Sequence, residues 1–153
     1  MKAKNFGMLL LAGLFAFGLQ SCDDDDDHIT APAELVAAFA EVFPNVDANA
    51  VRWEMDYQYG ETYYEAEFWE NRLEKSAWFT QAYEWVMTET DHEPPFSDVP
   101  QAVIDAAKAQ YPDHYLDDID YIETPTEAYY RVEMEQFDRD VYLNILADGT
   151  VLQ

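Results

Sequence analysis

An internal repeat constrains the fold of this chain more than any other feature of its sequence. Residues 32–44 align with residues 100–112, and each segment begins with a proline and ends with an aromatic residue followed by a proline. A proline fits the first turn of a helix, and a later proline ends it. Each segment is therefore predicted to be a helix, with Thr30 and either Ser97 or Asp98 as its N-cap. The residues at helical spacing are Leu35, Phe39 and Val42 in the first copy and Val103, Ala107 and either Gln110 or Tyr111 in the second.

Alternation between apolar and polar residues follows each predicted helix, as expected for strands that bury one face. Asp148-Gly149 indicates a tight hairpin turn near the end of the second copy. The matching residues 81–84 contain no glycine, so that turn is expected to have diverged. The predicted strands are 51–59, 62–70 and one strand or a pair over 75–88 in the first copy, and segments centred on 119–121, 130–134 and 141–145, with a tail at 151–152, in the second.

Two copies of a helix followed by an antiparallel β-meander predict an α+β fold. The two tandem repeats cover about 32–90 and 98–153, and a connector that contains Pro94-Pro95 joins them. A unit of about 66 residues has a marginal core by itself. The two copies are therefore expected to pack together as one domain over 32–153.

The first 21 residues are typical of a cleaved signal peptide. Two lysines among the first four residues precede an apolar run over 6–19, which is shorter than the roughly 20 residues of a transmembrane helix. The sequence Leu-Gln-Ser-Cys that ends at Cys22 resembles the bacterial lipobox, in which the cysteine receives a lipid. Because Cys22 is the only cysteine, it cannot form a disulfide within the chain. Residues 1–21 are thus predicted to be removed, leaving Cys22 as the lipid-bearing N-terminus.

Five consecutive aspartates, residues 23–27, follow Cys22 directly. Adjacent carboxylates repel one another, so residues 22–31 are interpreted as the lipidated cysteine and a solvated tether. Such a run resembles the surface-export signal of Bacteroidetes-type lipoproteins, whereas in other bacteria an aspartate after the lipidated cysteine means retention in the inner membrane. A loose Ca²⁺ site is the alternative, although the run lacks the spaced ligands and the glycine of a Ca²⁺ loop. The expected location is the cell envelope, lipid-anchored to the outer membrane and facing either the periplasm or the surface.

The charge of the chain excludes one class of partner. Eight basic residues against 32 acidic ones give a net charge of −24, which becomes −26 once Lys2 and Lys4 are removed. Nucleic acid binding needs Lys and Arg to replace counterions, so it is excluded. Direct adhesion to anionic lipid is equally disfavoured, and contact with a membrane is expected through the lipid anchor alone. The negative field favours a basic partner, and it also serves solubility.

The order and duplication of these motifs resemble the PepSY-like, beta-lactamase-inhibitor-protein-like family of exported bacterial proteins. The resemblance covers nearly all of 32–153. It implies a lipoprotein or secreted protein with the fold of a protein inhibitor, and it brings no catalytic residues. It is carried by the aromatic-Pro helix ends Phe43-Pro44 and Tyr111-Pro112, the Tyr-rich second strands and the closing residues 147–151.

The sequence offers few groups for catalysis. Ser76 and Ser97 are not in a nucleophile motif, and no glycine-rich phosphate loop is present. The three histidines fall in predicted loops without metal-ligand spacing, so solvated loop histidines are expected: His28, His92 and His114. No cofactor, no metal site and no enzymatic activity are predicted.

Aromatic and acidic side chains on the strand faces indicate a binding protein. Tyr and Trp are frequent anchors of protein interfaces, and beside carboxylates they suit a basic or cationic partner. The leading hypothesis is a non-enzymatic envelope lipoprotein that holds or inhibits a protein or peptide through the sheet. The alternative is an envelope hydrolase or carbohydrate-active enzyme that uses the carboxylate pairs Glu65/Glu67 or Glu133/Glu135. The predicted binding residues are Tyr63, Glu65, Glu67, Trp69, Tyr129, Arg131 and Glu133.

Overall fold

The structure, a computed structural model, describes residues 28–58, 60–137 and 139–152. The predicted signal peptide, Cys22 and the aspartate run lie outside these residues. Within them, no helix has the length and apolar composition needed to cross a membrane.

The described residues form two helices and one antiparallel sheet of seven strands. The strands are neighbours in the sheet in the same order as in the sequence, which makes the sheet a continuous meander. The predicted α+β class is confirmed. In chain order the elements are α1 (Ala33–Val42), a 3₁₀ turn (Ala48–Ala50), β1 (Arg52–Gln58), β2 (Glu61–Glu70), β3 (Leu73–Phe79), β4 (Trp85–Asp91), α2 (Gln101–Gln110), β5 (Tyr115–Glu123), β6 (Ala128–Glu135) and β7 (Asp140–Ile145).

Both helices lie where the prolines placed them, but the predicted N-caps were wrong. Pro32 and Pro100 themselves occupy the N-cap positions in extended conformation, and neither helix has a side-chain cap. Proline suits this position because its fixed φ matches the backbone that leads into a helix. Asp98 instead accepts a hydrogen bond from His92.

One face of the sheet packs against α1 through an aromatic core. Phe39 lies at the centre of this core, with its ring centroid 5.1 Å from that of Phe68 and 5.5 Å from that of Trp53. Ala66 and Ala77 lie side by side on the neighbouring strands, where their small side chains leave room for the rings. Edge-to-face pairs of this kind add favourable energy to the burial of the rings.

The same face of the sheet packs against α2 through an aliphatic core. Val103, Ile104 and Ala107 of the helix contact a layer of buried residues on the strands: Ile119, Val132, Met134 and Ile145. The registers Thr88↔Glu123 and Ala77↔Thr88 keep one side of the sheet continuous between the two cores. The opposite side, which we call the open face, carries no helix among the described residues.

The segment predicted as one strand or two is a hairpin of β3 and β4. Its turn, residues 80–84, has the same hydrogen bonds as the turn at 146–150: the first residue donates to the fifth, and the fourth donates to the first. Tyr83 takes the left-handed conformation (φ 63°) that Gly149 takes in the other turn (φ 88°). The expectation that the turn had diverged was therefore wrong for its backbone.

Candidate acidic binding site on the open face

All seven predicted binding residues lie on the open face, but the structure divides them into two groups. Period-two alternation places Tyr63, Glu65, Glu67 and Trp69 together on β2 and Tyr129, Arg131 and Glu133 together on β6. Three strands, β3 to β5, separate the two groups. Neighbouring strands are about 4.8 Å apart, so the groups are on the order of 19 Å from each other.

A concave, acidic depression lies on the open face over β3 to β7, with a volume of about 380 Å³. Of the predicted residues, Arg131 and Glu133 line it. Six carboxylates and two basic groups contribute to its walls, which means that negative charge dominates it. The full lining is Glu74, Lys75, Ser76, Glu89, Asp91, Asp118, Asp120, Arg131, Glu133 and Tyr142. We call this site the acidic concavity.

Arg131 is at the centre of the acidic concavity and is buried, with 9% of its surface exposed. Its Nη2 atom donates to Asp120 Oδ2 at 2.7 Å, and Nε donates to the same oxygen at 3.3 Å. Nη2 also donates to Glu89 Oε2. One guanidinium therefore holds two carboxylates from two different strands, as its fork of donors permits.

Carboxylates crowd around this ion-pair network. Asp91, Asp118 and Asp120 each offer a carboxylate oxygen, and these oxygens lie within 4.8 Å of one another. Burial, with the nearby charge of Glu89, raises the pKa of Asp120 to about 7 even though Arg131 opposes the shift. Burial likewise raises the pKa of Glu89 against the effect of Arg131. Arg131 thus compensates only part of the negative charge.

The other polar side chains of the acidic concavity interact with groups close to them. Lys75 Nζ pairs with Glu70 at 2.9 Å, so its charge is already balanced by a carboxylate. Burial raises the pKa of Glu133, although a hydrogen bond from Tyr142 opposes the shift. Burial and the neighbouring Glu133 raise the pKa of Tyr142 to about 12, and its hydroxyl donates a hydrogen bond to Glu133.

The predicted residues on β2 form a different surface. Burial raises the pKa of Glu65 to about 7, against a hydrogen bond from Ser76. Arg52 Nη2 pairs with Glu67 at 2.6 Å. Trp69 is 65% exposed, and Tyr63 donates to Glu61 at 3.1 Å. This surface can offer aromatic contacts, and none of these four predicted residues lines the acidic concavity.

The sequence missed the residues that build the acidic concavity on β4 and β5. Glu89, Asp91, Asp118 and Asp120 were not singled out, because 32 acidic residues make any one carboxylate unremarkable. No local signal marks Asp120, because it follows the alternation that places Ile119 on the helix side and its neighbour on the open face.

The expectation of solvated loop histidines was wrong for His92. This side chain is 7% exposed, and its Nδ1 lies 2.9 Å from Asp98 Oδ2. His28 pairs with Glu54 at 3.2 Å. The Nδ1 atom of His114 is also buried, and its ring lies 5.0 Å from that of Tyr111. The three histidines therefore contact the domain more closely than their predicted loop positions indicated.

Chemically, the acidic concavity is suited to positive charge. Among the described residues, the aspartates at 91, 118 and 120 are the one group of three or more possible ligands whose atoms lie close enough to share a cation, and Asp120 is already bonded to Arg131. Of the carboxylate pairs considered for hydrolysis, Glu133 alone lines the concavity. The site is open to solvent rather than a closed cleft, which favours contact with a large partner over enclosure of a small substrate.

Comparison with known proteins agrees with the fold. A protein-family model described as "Putative beta-lactamase-inhibitor-like, PepSY-like" matches residues 62–153. A crystal structure of a BLIP-like protein from Bacteroides fragilis is 30% identical, with 85% of this chain and 89% of that chain covered and a TM-score of 0.67. A DUF2874 family protein from Bacteroides uniformis is 26% identical, with 81% and 88% covered and a TM-score of 0.67.

A third crystal structure, from Bacteroides eggerthii and described as a putative periplasmic protein, is 25% identical, with 81% and 87% covered and a TM-score of 0.65. No curated protein matches the sequence. Neither the family model nor these structures indicate an enzyme family. The resemblance inferred from the helix ends and the Tyr-rich strands is confirmed, and the chain belongs to the PepSY-like, beta-lactamase-inhibitor-like family.

Proposed function

We propose that this protein is a non-enzymatic, inhibitor-like binding protein of the cell envelope, and that its open face takes a protein or peptide partner that presents basic side chains. The observation that carries the proposal is the acidic concavity, in which six carboxylates face two basic groups. Lys75 is paired with Glu70, and Arg131 is shared by Glu89 and Asp120. The surplus negative charge is compensated when a partner brings a Lys or Arg side chain.

Electrostatics and shape both support a macromolecular partner. A net charge of −24 steers basic molecules towards the surface, and a concavity focuses that field. Large aromatic side chains on the open face supply anchors of the kind that dominate protein interfaces. Trp69 is 65% exposed and Tyr115 is 54% exposed, and Tyr115 pairs across the strands with Glu135.

The family supports the inhibitor-like part of the proposal. The related structure from Bacteroides fragilis is named BLIP-like, and the one from Bacteroides eggerthii is described as periplasmic. A signal peptide over 1–21 and a lipid on Cys22, followed by the tether 22–31, would hold the domain at the envelope membrane with the open face free.

We also infer that the domain consists of two tandem repeats. Residues paired across β1–β2–β3 and across β5–β6–β7 are related by a constant shift of 66 positions: Trp53 and Ile119, Ala66 and Val132, Ala77 and Leu143. The turns at 80–84 and 146–150 obey the same shift. The same shift relates Glu65 to Arg131, so one open-face position carries an acid in the first repeat and a base in the second. The acidic concavity is lined by β3 and β4 of the first repeat as well as by the second repeat, with Arg131 at its centre.

One observation favours the alternative, an envelope hydrolase. A general acid needs a pKa near the working pH, and burial raises the pKa of Glu65 to about 7. Glu65 does not line the acidic concavity, however. If release of sugars from purified envelope glycans by the native protein disappeared in Glu65→Gln, the hydrolase would replace the binding protein as the better account.

Site-specific photo-crosslinking on living cells tests the proposed function. A benzoyl-phenylalanine in place of Tyr142 lies in the acidic concavity, and one in place of Val42 lies on α1, on the far side of the sheet. We expect a discrete adduct from position 142 that weakens with salt, and none from position 42. Asp91→Asn should reduce this adduct, whereas Glu34→Gln, an exposed carboxylate on α1, removes the same charge without affecting it.

Adducts from position 42 alone would place the interface on the helix side and contradict the proposal. Equal losses in the two charge variants would contradict it as well, because they would show that net charge and not the acidic concavity governs capture.

A further inference from the structure

The acidic concavity contains more carboxylates than its two basic side chains can neutralise. Asp120 lies at its floor, 9% exposed, and shares the Arg131 guanidinium with Glu89. Carboxylate oxygens of Asp91 and Asp118 lie within 4.8 Å of that of Asp120. Like charges at this distance in a partly buried site favour protonation of one member.

The strands around Asp120 all contribute charged or titratable groups to the acidic concavity. β3 contributes Glu74 and Lys75, and β4 contributes Glu89 and Asp91. Asp118 is on β5 itself. The further charged or titratable groups are Arg131 and Glu133 on β6 and Tyr142 on β7, with Glu93 and His92 also acting on Asp91.

Two of these groups are cations, and each already pairs with a carboxylate. Lys75 is held by Glu70, so the central carboxylates depend on Arg131. A partner's ammonium or guanidinium group is therefore held mainly while the carboxylates are ionised. Protons and the partner's positive charge compete for the same oxygens.

On the basis of the proposed function, we propose that the acidic concavity is a pH-gated binding site. It holds a basic protein partner at neutral pH and releases it at mildly acidic pH as Asp120 and its neighbours bind protons. The gate needs no movement of the backbone. It works because a protonated carboxyl group loses its charge while the depression keeps its shape.

The titration of the individual groups supports this gate. Burial raises the pKa of Asp120 to about 7, and Glu89 adds to the shift. Burial also raises the pKa of Asp91, Glu89 and Glu133. All four shifts have the same sign, so these groups take up protons at a higher pH than carboxyl groups in solution. Linkage then requires that a cation bound beside them lowers their pKa and is itself bound more weakly as the pH falls.

The experiment is a titration of the full mature chain with hexalysine as the probe, by calorimetry at pH 7.5, 6.5 and 5.5 and constant ionic strength. We expect the affinity for hexalysine to fall by about tenfold or more across this range, the change that one coupled protonation of this size produces. Asp120→Asn should bind hexalysine more weakly at pH 7.5 and lose most of the pH dependence. Glu133→Gln is a second variant. Because Glu133 is more exposed than Asp120, its replacement disturbs the fold less.

Glu34→Gln on α1 is the charge-matched control and should keep the native pH profile. A ligand-free readout accompanies the binding data: the carboxyl ¹³C resonance of Asp120 should titrate well above the range of an aspartate in solution. Tight hexalysine binding that is the same at all three pH values, or an ordinary Asp120 titration, would overturn the gate and leave the proposed function standing. Absence of hexalysine binding at pH 7.5 would overturn both.

Discussion

Each half of the sheet packs against one helix, and the two cores are filled by different kinds of side chain. The first half, α1 with β1 to β4, is filled by aromatic rings, and the second half, α2 with β5 to β7, is filled by aliphatic side chains. Phe39 fills the middle of the first core, whereas Ala107 occupies the corresponding helix position in the second. In the second half, Ile119, Val132, Met134 and Ile145 supply the volume from the strands.

The pattern of apolar positions, and not the identity of the side chains, therefore specifies how each helix packs on the sheet. The helix face and the strand alternation recur in both halves, and different combinations of large and small residues fill them to the same effect. The open faces differ more sharply. The first half has exposed Trp69 and a partly buried Glu65, whereas the second half has the buried network around Arg131.

The largest effect is expected when the aromatic core loses its central ring. Phe39 is fully buried and contacts four other aromatic side chains, so Phe39→Ala leaves a cavity on the helix face. We expect a loss of about 4 kcal/mol in the free energy of unfolding, measured by chemical denaturation.

The change compared with it in the aliphatic core is Val103→Ala, which removes two methyl groups from a fully buried position. It should cost about 2 kcal/mol. Similar losses for the two variants would contradict the view that the first core depends on a single central side chain while the second distributes its volume.

The next effect in order of size is expected from the loss of the buried cation. Arg131→Met leaves Glu89 and Asp120 without their shared partner in a desolvated site. Breaking a buried ion pair by removing one partner leaves an uncompensated charge, and we expect the free energy of unfolding to fall by about 3 kcal/mol at pH 7.5. The loss should shrink towards pH 5, because the two carboxyl groups can then be protonated. A loss that is independent of pH would contradict this explanation.

The two matching turns provide a smaller and more local comparison. Gly149 has φ 88°, and a Cβ atom there would lie 2.9 Å from the carbonyl oxygen of Ala102. Gly149→Ala should therefore cost about 2 kcal/mol, through backbone strain and displacement of α2. Tyr83→Gly relieves the positive φ of the other turn but loses the contact with Tyr64, whose ring lies 5.8 Å away, so its net effect should stay within about 1 kcal/mol. Thermal unfolding of both variants measures the difference.

The sequence predicted the architecture because architecture depends on periodicity. The prolines around residues 33–42 and 101–110 limit the helices within a residue or two, and alternation places Ala66 and Phe68 on the helix side of the sheet. The turn at 80–84 was misjudged, because glycine is the usual residue at a positive φ and Tyr83 takes that conformation with the support of Thr80.

The candidate site was predicted only in part, for a reason that is equally physical. Alternation placed Arg131 and Glu133 on the open face, and the predicted meander placed β5 beside β6. The pairing of β4 with β5 across the connector, which brings Glu89 to Arg131, is long-range and is not encoded by a local pattern. Asp120 joins Arg131 only through the register of β5 on β6. Tyr63 and Trp69 were grouped with residues on β6, which the meander separates from β2 by three intervening strands.

The smallest expected effect concerns Glu65, the counterpart of Arg131 in the first half of the sheet. Glu65 occupies the matching position on β2, and burial raises its pKa from 4.5 to about 7. The folded state therefore binds this proton more tightly than the unfolded chain, and stability falls as the pH rises from about 4.5 to about 7. Above pH 7 the full cost of the buried charge is present.

Glu65→Gln removes that cost and keeps a group that can hydrogen-bond Ser76. Since the side chain is partly exposed to solvent, we expect a gain on the order of 1 kcal/mol at pH 8, and none near pH 4, where Glu65 is neutral in both states. Glu84→Gln, in the exposed part of the 80–84 turn, removes the same charge and should leave the pH dependence of unfolding unchanged. If both variants gained equally at pH 8, relief of the overall negative charge would explain the gain, and the position that Glu65 shares with Arg131 would carry no special electrostatic cost.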